Sequence, residues 1–115
     1  MTEKRISAVF YQTEAGTEPV RECLKGLDRE DQYLIGTDIN TVEFGWPIGI
    51  LTCCPMGGGL FEVRTDLPQG RIAYVLFCIY ESRMVLLHGF IKKTQKNPKK
   101  DLDLTLARKR KLEAV

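Results

Sequence analysis

The segment Leu60–Ile91, with the sequence LFEVRTDLPQGRIAYVLFCIYESRMVLLHGFI, contains three apolar runs separated by two short turn sequences. β-branched and aromatic residues dominate the runs, which predicts a three-stranded antiparallel meander. The predicted strands are Leu60–Asp66, Arg71–Tyr80 and Arg83–Ile91. The middle strand is apolar on both of its faces, so we expect helices to cover it on both sides.

The residues before the meander predict a strand followed by a helical hairpin. Ile6–Tyr11 is β-branched and aromatic, as a strand is. Thr17 is a good N-cap for a first helix that ends near Gly26. A second helix starts after the cap candidate Asp28 and stops at Gly45–Pro47.

Residues 46–59 are rich in Gly and Pro and predict an irregular loop, with Gly57–Gly59 as a flexible lead-in to the meander. Asn97–Pro98 begins a last helix that runs to about Leu112, with Leu102 and Leu106 inward. The order of elements predicts an α+β fold. An antiparallel sheet, made of the N-terminal strand and the meander, packs with the N-terminal helical hairpin and the C-terminal helix.

The composition is that of one folded domain spanning residues 1–115, with 43% hydrophobic and 28% charged residues. The longest nearly uncharged apolar run, Ile72–Tyr80, is too short to cross a membrane. No signal-peptide pattern opens the chain, so we expect a cytoplasmic protein. The four cysteines are interpreted as reduced thiols, and their spacing predicts no metal site.

Charge is divided unevenly along the chain. Residues 1–63 carry five Lys or Arg against ten Asp or Glu, whereas residues 64–115 carry 12 against five. The basic residues concentrate between Lys92 and Lys111, which predicts a cationic surface that suits phosphate groups. The alternative is a solvated helix face without a partner.

Several residues of the meander could carry chemistry. Arg64, Arg71 and Lys92–Lys93 stand at strand positions where charge is unusual, and we expect them to converge. Alternation places Glu62 on the face of Arg64, so the two could line an exposed concave surface of the sheet or form a structural ion pair.

His88 is the sole imidazole of the chain and thus the one group whose ordinary pKa suits proton transfer at neutral pH. The alternative is a structural histidine on the core side of its strand, beside Leu86 and Phe90.

Three motifs of the chain, Gly59–Arg64, Arg71–Tyr74 and Leu86–Pro98, resemble the phage-derived branch of the RelE/HigB toxin superfamily. The resemblance extends more weakly through the helical hairpin and to Arg108. It implies a RelE-like fold and the function of a type II toxin, a ribosome-dependent mRNA endoribonuclease that inhibits translation. Its implied partners are the ribosome with mRNA and a neutralising antitoxin, usually a helix-turn-helix DNA-binding protein.

The resemblance also implies site residues. The catalytic set would be Arg64, Arg71, Lys92, Lys93, His88 and Glu62, and the nucleic-acid-binding set Lys96, Lys99, Lys100 and Arg108. The implied chemistry uses no metal and no cofactor, with His88 or a lysine as the general base. Thr52–Cys54 stands where relatives tend to place lysines, and Thr105 replaces an alanine common in the last helix.

Two other functions remain open from the sequence. A ParE-like toxin of the same fold would poison DNA gyrase by binding it, without nuclease chemistry. An inactive prophage-derived remnant would bind RNA only.

Overall fold

A computed structural model of the protein describes residues 3–46, 53–92 and 99–114. It is an α+β structure with a five-stranded mixed sheet and three α-helices. In chain order the elements are β1 (Ser7–Phe10), α1 (Pro19–Lys25), α2 (Arg29–Gly45), β2 (Cys53–Gly57), β3 (Leu60–Leu67), β4 (Arg71–Tyr80), β5 (Arg83–Lys92) and α3 (Lys99–Glu113). The strand order across the sheet is β1-β5-β4-β3-β2.

The meander β3-β4-β5 is confirmed, and its strand ends lie within one residue of the prediction. The turn between β4 and β5 consists of Glu81 and Ser82, whose φ values are 51° and 62°. Two successive residues with positive φ match the right-handed twist of the flanking strands, as two-residue hairpins require. The helical hairpin α1-α2 is confirmed as well, and α2 begins directly after the predicted cap residue Asp28.

The sheet is mixed rather than antiparallel, because β1 pairs with β5 in parallel. The expected direction of β1 was therefore wrong. Alternation identifies a strand but carries no information about its direction, which depends on the crossover that the intervening chain makes. Here β1 reaches β5 after the helical hairpin and three other strands.

Part of the predicted loop is strand β2, which pairs antiparallel with β3. Pro55 is tolerated there because β2 is an edge strand. The three glycines Gly57, Gly58 and Gly59 all have positive φ, between 62° and 85°, and form the bulged turn into β3. They are thus a defined turn rather than a flexible lead-in. The predicted start of the last helix, Asn97–Pro98, lies outside the described residues.

The core has two parts, one on each face of the sheet. On one face, β3, β4 and β5 pack against α1 and α2 around Val63, Val75 and Phe77. Phe77 and Phe61 stack at 5.5 Å, and Trp46 meets Phe61 edge-on at 4.8 Å. The residues of the second part, on the other face, are Tyr11, Leu60, Cys78, Val85 and Leu87, with Leu106 and Leu112 of α3 packed on them. Strand β4 is therefore covered on both sides, as predicted.

Cys23 is half-buried and Cys78 is buried, and neither forms a disulfide in the structure. Burial raises the pKa of Cys78 to about 11, so this thiol stays protonated at neutral pH. The side chains of Cys53 and Cys54 lie outside what the structure describes. Within the described ranges, no helix has the length and apolar character to span a bilayer.

Candidate functional site

The candidate site lies on the α3 side of the sheet, where neighbouring strands place polar residues in adjacent rows. Arg64 of β3, Tyr74 of β4 and Phe90 of β5 are directly opposite one another. Two residues along the strands in one direction, the neighbouring row contains Glu62 and His88. Two residues in the other direction, the neighbouring row contains Lys92. Opposite residues of an antiparallel sheet share a face, so β3 and β5 bring these side chains together.

Arg64 and Glu62 form the first part of the site. Arg64 Nε donates to Glu62 Oε2 at 2.8 Å. The Glu62 side chain is wholly buried, whereas that of Arg64 is 40% exposed. The expected concave surface lined by Glu62 is therefore wrong, because this carboxylate is covered and cannot reach a substrate. The buried Glu62 carboxylate orients the Arg64 guanidinium by accepting a hydrogen bond from one of its edges.

Two stacked aromatic rings connect Arg64 to Lys92. The Tyr74 and Phe90 rings are nearly parallel, with centroids 5.0 Å apart. The Arg64 guanidinium carbon lies 5.7 Å from the Tyr74 centroid, and Lys92 Nζ lies 5.5 Å from the Phe90 centroid. Burial raises the pKa of Tyr74, so its phenol is neutral and is not a base at physiological pH. The two stacked rings form an apolar surface, and one cation lies over each ring.

His88 shares this face with Phe90 and Lys92 by simple alternation, and a bulge in β5 lies directly before it. His88 lies opposite Leu76, but the next paired residue, Leu86, lies opposite Phe77, so Leu87 is the extra residue. Leu86 consequently packs in the core under α1 and α2. The expectation that His88 and Leu86 share a face was wrong, since the bulge interrupts the period of two. The expectation that His88 and Phe90 share a face is confirmed, and the centroids of their two rings are 5.4 Å apart.

A polar network joins His88 to α3. His88 Nε2 and Asp101 Oδ1 are 2.7 Å apart. Arg108 Nη1 donates to the Leu87 carbonyl at 2.8 Å and contacts His88 Nδ1 at 3.3 Å. The other carboxylate oxygen of Asp101, Oδ2, lies 3.9 Å from Lys92 Nζ. The histidine thus belongs to a network that ends at a cation of the site.

Arg71 lies on the opposite face of the sheet, so its expected convergence with Arg64 is wrong. Its guanidinium donates to both carboxylate oxygens of Asp31 in α2, at 2.9 and 3.2 Å, and to the Pro68 carbonyl at 3.0 Å. The hydrogen bond with Asp31 raises the pKa of Arg71. Arg71 is three residues before Tyr74 in one strand, and residues at odd spacing face opposite ways. That parity was present in the sequence.

The remaining basic candidates are spread along the chain after β5. Lys93 and Lys96 lie outside the described residues. Lys99 and Lys100 are exposed in the first turn of α3. Arg108 is partly buried in the His88 network, and burial lowers its pKa, although a guanidinium stays charged. Thr105 is wholly buried and donates to the Asp101 carbonyl at 2.7 Å, so the hydroxyl has a structural partner.

Sequence reasoning missed Asp101 and the Tyr74–Phe90 stack. Asp101 lies within the basic run from Lys92 to Lys111 and three residues after Pro98, so its position in the first turn of the predicted helix was the available signal. Among the residues that the structure describes, no three His, Cys, Asp or Glu side chains lie close enough together to hold a metal ion.

Arg71→Ala is expected to lower the melting temperature and to leave the activity of the folded protein unchanged. The substitution leaves the Asp31 side chain, only 4% exposed, without its guanidinium, and an unpaired buried carboxylate destabilises a protein. Adding Asp31→Asn should restore part of the stability, since a neutral amide costs less to bury. Melting curves test the stability, and the RNA cleavage assay that the family resemblance suggests tests the activity. A loss of cleavage in a folded variant would place Arg71 in the catalytic set after all.

The fold and the site define a small α+β protein in which two cations lie over a pair of stacked aromatic rings, on one face of a mixed sheet. Residues 22–111 match the family described as phage-derived protein Gp49-like (DUF891). The chain therefore belongs to the Gp49-like family of phage-derived proteins. A comparison with the curated proteins finds no match.

Proposed function

We propose that this protein is the toxin of a type II toxin–antitoxin module and that it cleaves mRNA on the ribosome without a metal ion. One observation carries the proposal: Arg64 and Lys92 stand at the two ends of the Tyr74–Phe90 stack, both partly exposed on one face. The family supports it, because Gp49-like proteins are associated with RelE-like and toxin-like proteins. The RelE-like character of the fold is part of the proposal.

The chemistry would be attack of a ribose 2′-oxygen on the adjacent phosphorus. The 2′-O–P bond forms, the P–O5′ bond breaks, the 2′-hydroxyl proton goes to a base, and the leaving 5′-oxygen gains a proton. Extra negative charge develops on the phosphorane oxygens, where a preorganised cation stabilises the transition state. Arg64 fits that role because buried Glu62 fixes its guanidinium at 2.8 Å before any substrate arrives.

The first turn of α3 supports binding of a polyanion. Lys99 and Lys100 are exposed at the N-terminal end of the helix, where the helix dipole disfavours cations. Their charges therefore weaken the helix in isolation, and a phosphate backbone would relieve this cost. The excess of basic residues after residue 63 acts in the same direction. We propose ribosomal RNA and mRNA as this partner, and a helix-turn-helix antitoxin as the protein that covers the site.

Expression of the protein without an antitoxin is expected to stop growth by stopping translation. Incorporation of a labelled amino acid and plasmid supercoiling are measured in the same induced culture. Incorporation should collapse while supercoiling stays normal. Normal incorporation with folded protein present contradicts the proposal, and a loss of supercoiling that precedes any fall in incorporation favours the gyrase-poisoning alternative.

A further inference from the structure

We infer that His88 is a positioning residue, held in its neutral Nε2–H form as a clasp between β5 and α3, and not the general base of the site. The bearing of this clasp on RNA cleavage rests on the proposed function. The clasp itself rests only on the contacts of His88 with Asp101 and Arg108, so it can be tested separately.

The two partners of the imidazole determine which nitrogen carries the proton. A guanidinium is a donor without lone pairs, so Arg108 Nη1, 3.3 Å from Nδ1, requires Nδ1 to accept. An ionised carboxylate accepts only, so Asp101 Oδ1, 2.7 Å from Nε2, requires Nε2 to donate. Both requirements are met by one form of the ring, the neutral Nε2–H tautomer.

This arrangement leaves the ring without a nitrogen that can take a proton from substrate. A general base must present a lone pair within hydrogen-bond reach of the proton that it removes. The lone pair of His88 is on Nδ1 and faces the Arg108 guanidinium. The side chain is also only 15% exposed. His88 therefore acts through the residues that it holds.

The residues that His88 holds lie along one stripe of α3. Asp101, Thr105 and Arg108 follow one another at spacings of four and three residues, which places them on one helix face. Asp101 and Arg108 bond to the two nitrogens of His88, and Thr105 is buried between them with its hydroxyl on the Asp101 carbonyl. Because Asp101 Oδ2 lies 3.9 Å from Lys92 Nζ, the clasp also fixes the carboxylate beside one cation of the site.

Nuclear magnetic resonance tests the clasp directly. His88 is the sole histidine of the chain, so labelling histidine with ¹⁵N gives the signals of this ring alone. At neutral pH we expect an unprotonated Nδ1 and a protonated Nε2. Arg108→Gln, which removes the guanidinium from Nδ1, should let the ring exchange between tautomers. A protonated Nδ1 or a mixture of tautomers in the unsubstituted protein would overturn the inference.

Two substitutions separate positioning from base catalysis. His88→Gln keeps an N–H donor near the position of Nε2, whereas His88→Ala removes both contacts. We expect His88→Gln to cleave within about tenfold of the parental rate with the same shape of pH–rate profile, because loss of a general base costs typically 10²- to 10⁴-fold. His88→Ala should lose amide protection in Lys99–Glu113, measured by hydrogen exchange.

Two results would overturn the clasp. One is a His88→Gln variant that loses 10²-fold or more of its activity while α3 stays protected. The other is unchanged protection of α3 in His88→Ala. If the unsubstituted protein cleaves no RNA, the proposed function fails, but the tautomer and the exchange measurements still decide whether the clasp exists.

Discussion

Arg64→Ala is expected to lower mRNA cleavage on programmed ribosomes by about 10²- to 10³-fold, the usual loss when one preorganised group that stabilises transition-state charge is removed. Arg64→Lys should recover little of this loss. A lysine offers a point charge, whereas the planar guanidinium can place two N–H groups on phosphate oxygens and keep an edge for Glu62.

Arg64→Ala is also expected to reduce the stability of the fold, by more than the loss of an ion pair between two exposed residues would. Exposed pairs contribute only about 0 to 1 kcal/mol. Glu62, however, is wholly buried, and a buried charge that loses a hydrogen-bonding partner costs about 1 to 3 kcal/mol or more. Arg64→Ala should therefore melt at a lower temperature than the parental protein.

Adding a substitution at Glu62 to Arg64→Ala distinguishes a loss of catalysis from a loss of stability. In the double variant Glu62→Gln, Arg64→Ala the buried group is neutral, so stability should largely return while cleavage stays low. Arg21→Ala is the matched control, because Arg21 pairs with Glu18 on the exposed surface of α1 at 3.2 Å. It should change neither property. Parental cleavage by Arg64→Ala, or recovery of cleavage together with stability in the double variant, would show that Arg64 is structural.

The meander and the helical hairpin could be predicted from the sequence because their signals are local. Alternating and β-branched runs bounded by Pro68–Gly70 and by Glu81–Ser82 identify the strands, and Asp28 identifies the start of α2. Strand β2 could not be predicted in this way. Its five residues, Cys53–Gly57, include a proline and lack alternation, and they form a strand because β3 offers an edge for backbone pairing.

The site was predicted only in part, for a similar reason. Arg64, Lys92 and His88 were identified and do lie on one face. Leu86 lies on the other face from His88 because of the Leu87 bulge, which the sequence does not signal, and Asp101, the partner of His88, is 13 residues away. Arg71 was assigned to the wrong face, although its odd spacing from Tyr74 in the same strand could have been read from the sequence. Long-range polar contacts of this kind follow from packing, not from local pattern.

The largest expected effect concerns the ribosome itself. Cleavage of an mRNA in the decoding site of a programmed ribosome should exceed cleavage of the same RNA free in solution by on the order of 10³-fold or more. Among the described residues of the site, three acid–base candidates are inaccessible to substrate: Glu62 and Tyr74 are wholly buried, and both nitrogens of His88 are engaged. On the proposed function, we therefore expect the ribosome to supply the in-line alignment of the 2′-oxygen with the scissile phosphate, and such alignment contributes up to ~7–11 kcal/mol.

The most direct measurement is primer extension on an mRNA incubated with the purified protein, with and without programmed ribosomes. We predict new 5′ ends within the decoding site, products that carry a 2′,3′-cyclic phosphate, and almost no cleavage of the free RNA. Equal cleavage of free and ribosome-bound RNA, or intact mRNA on ribosomes to which the protein is bound, would show that the proposed function is wrong.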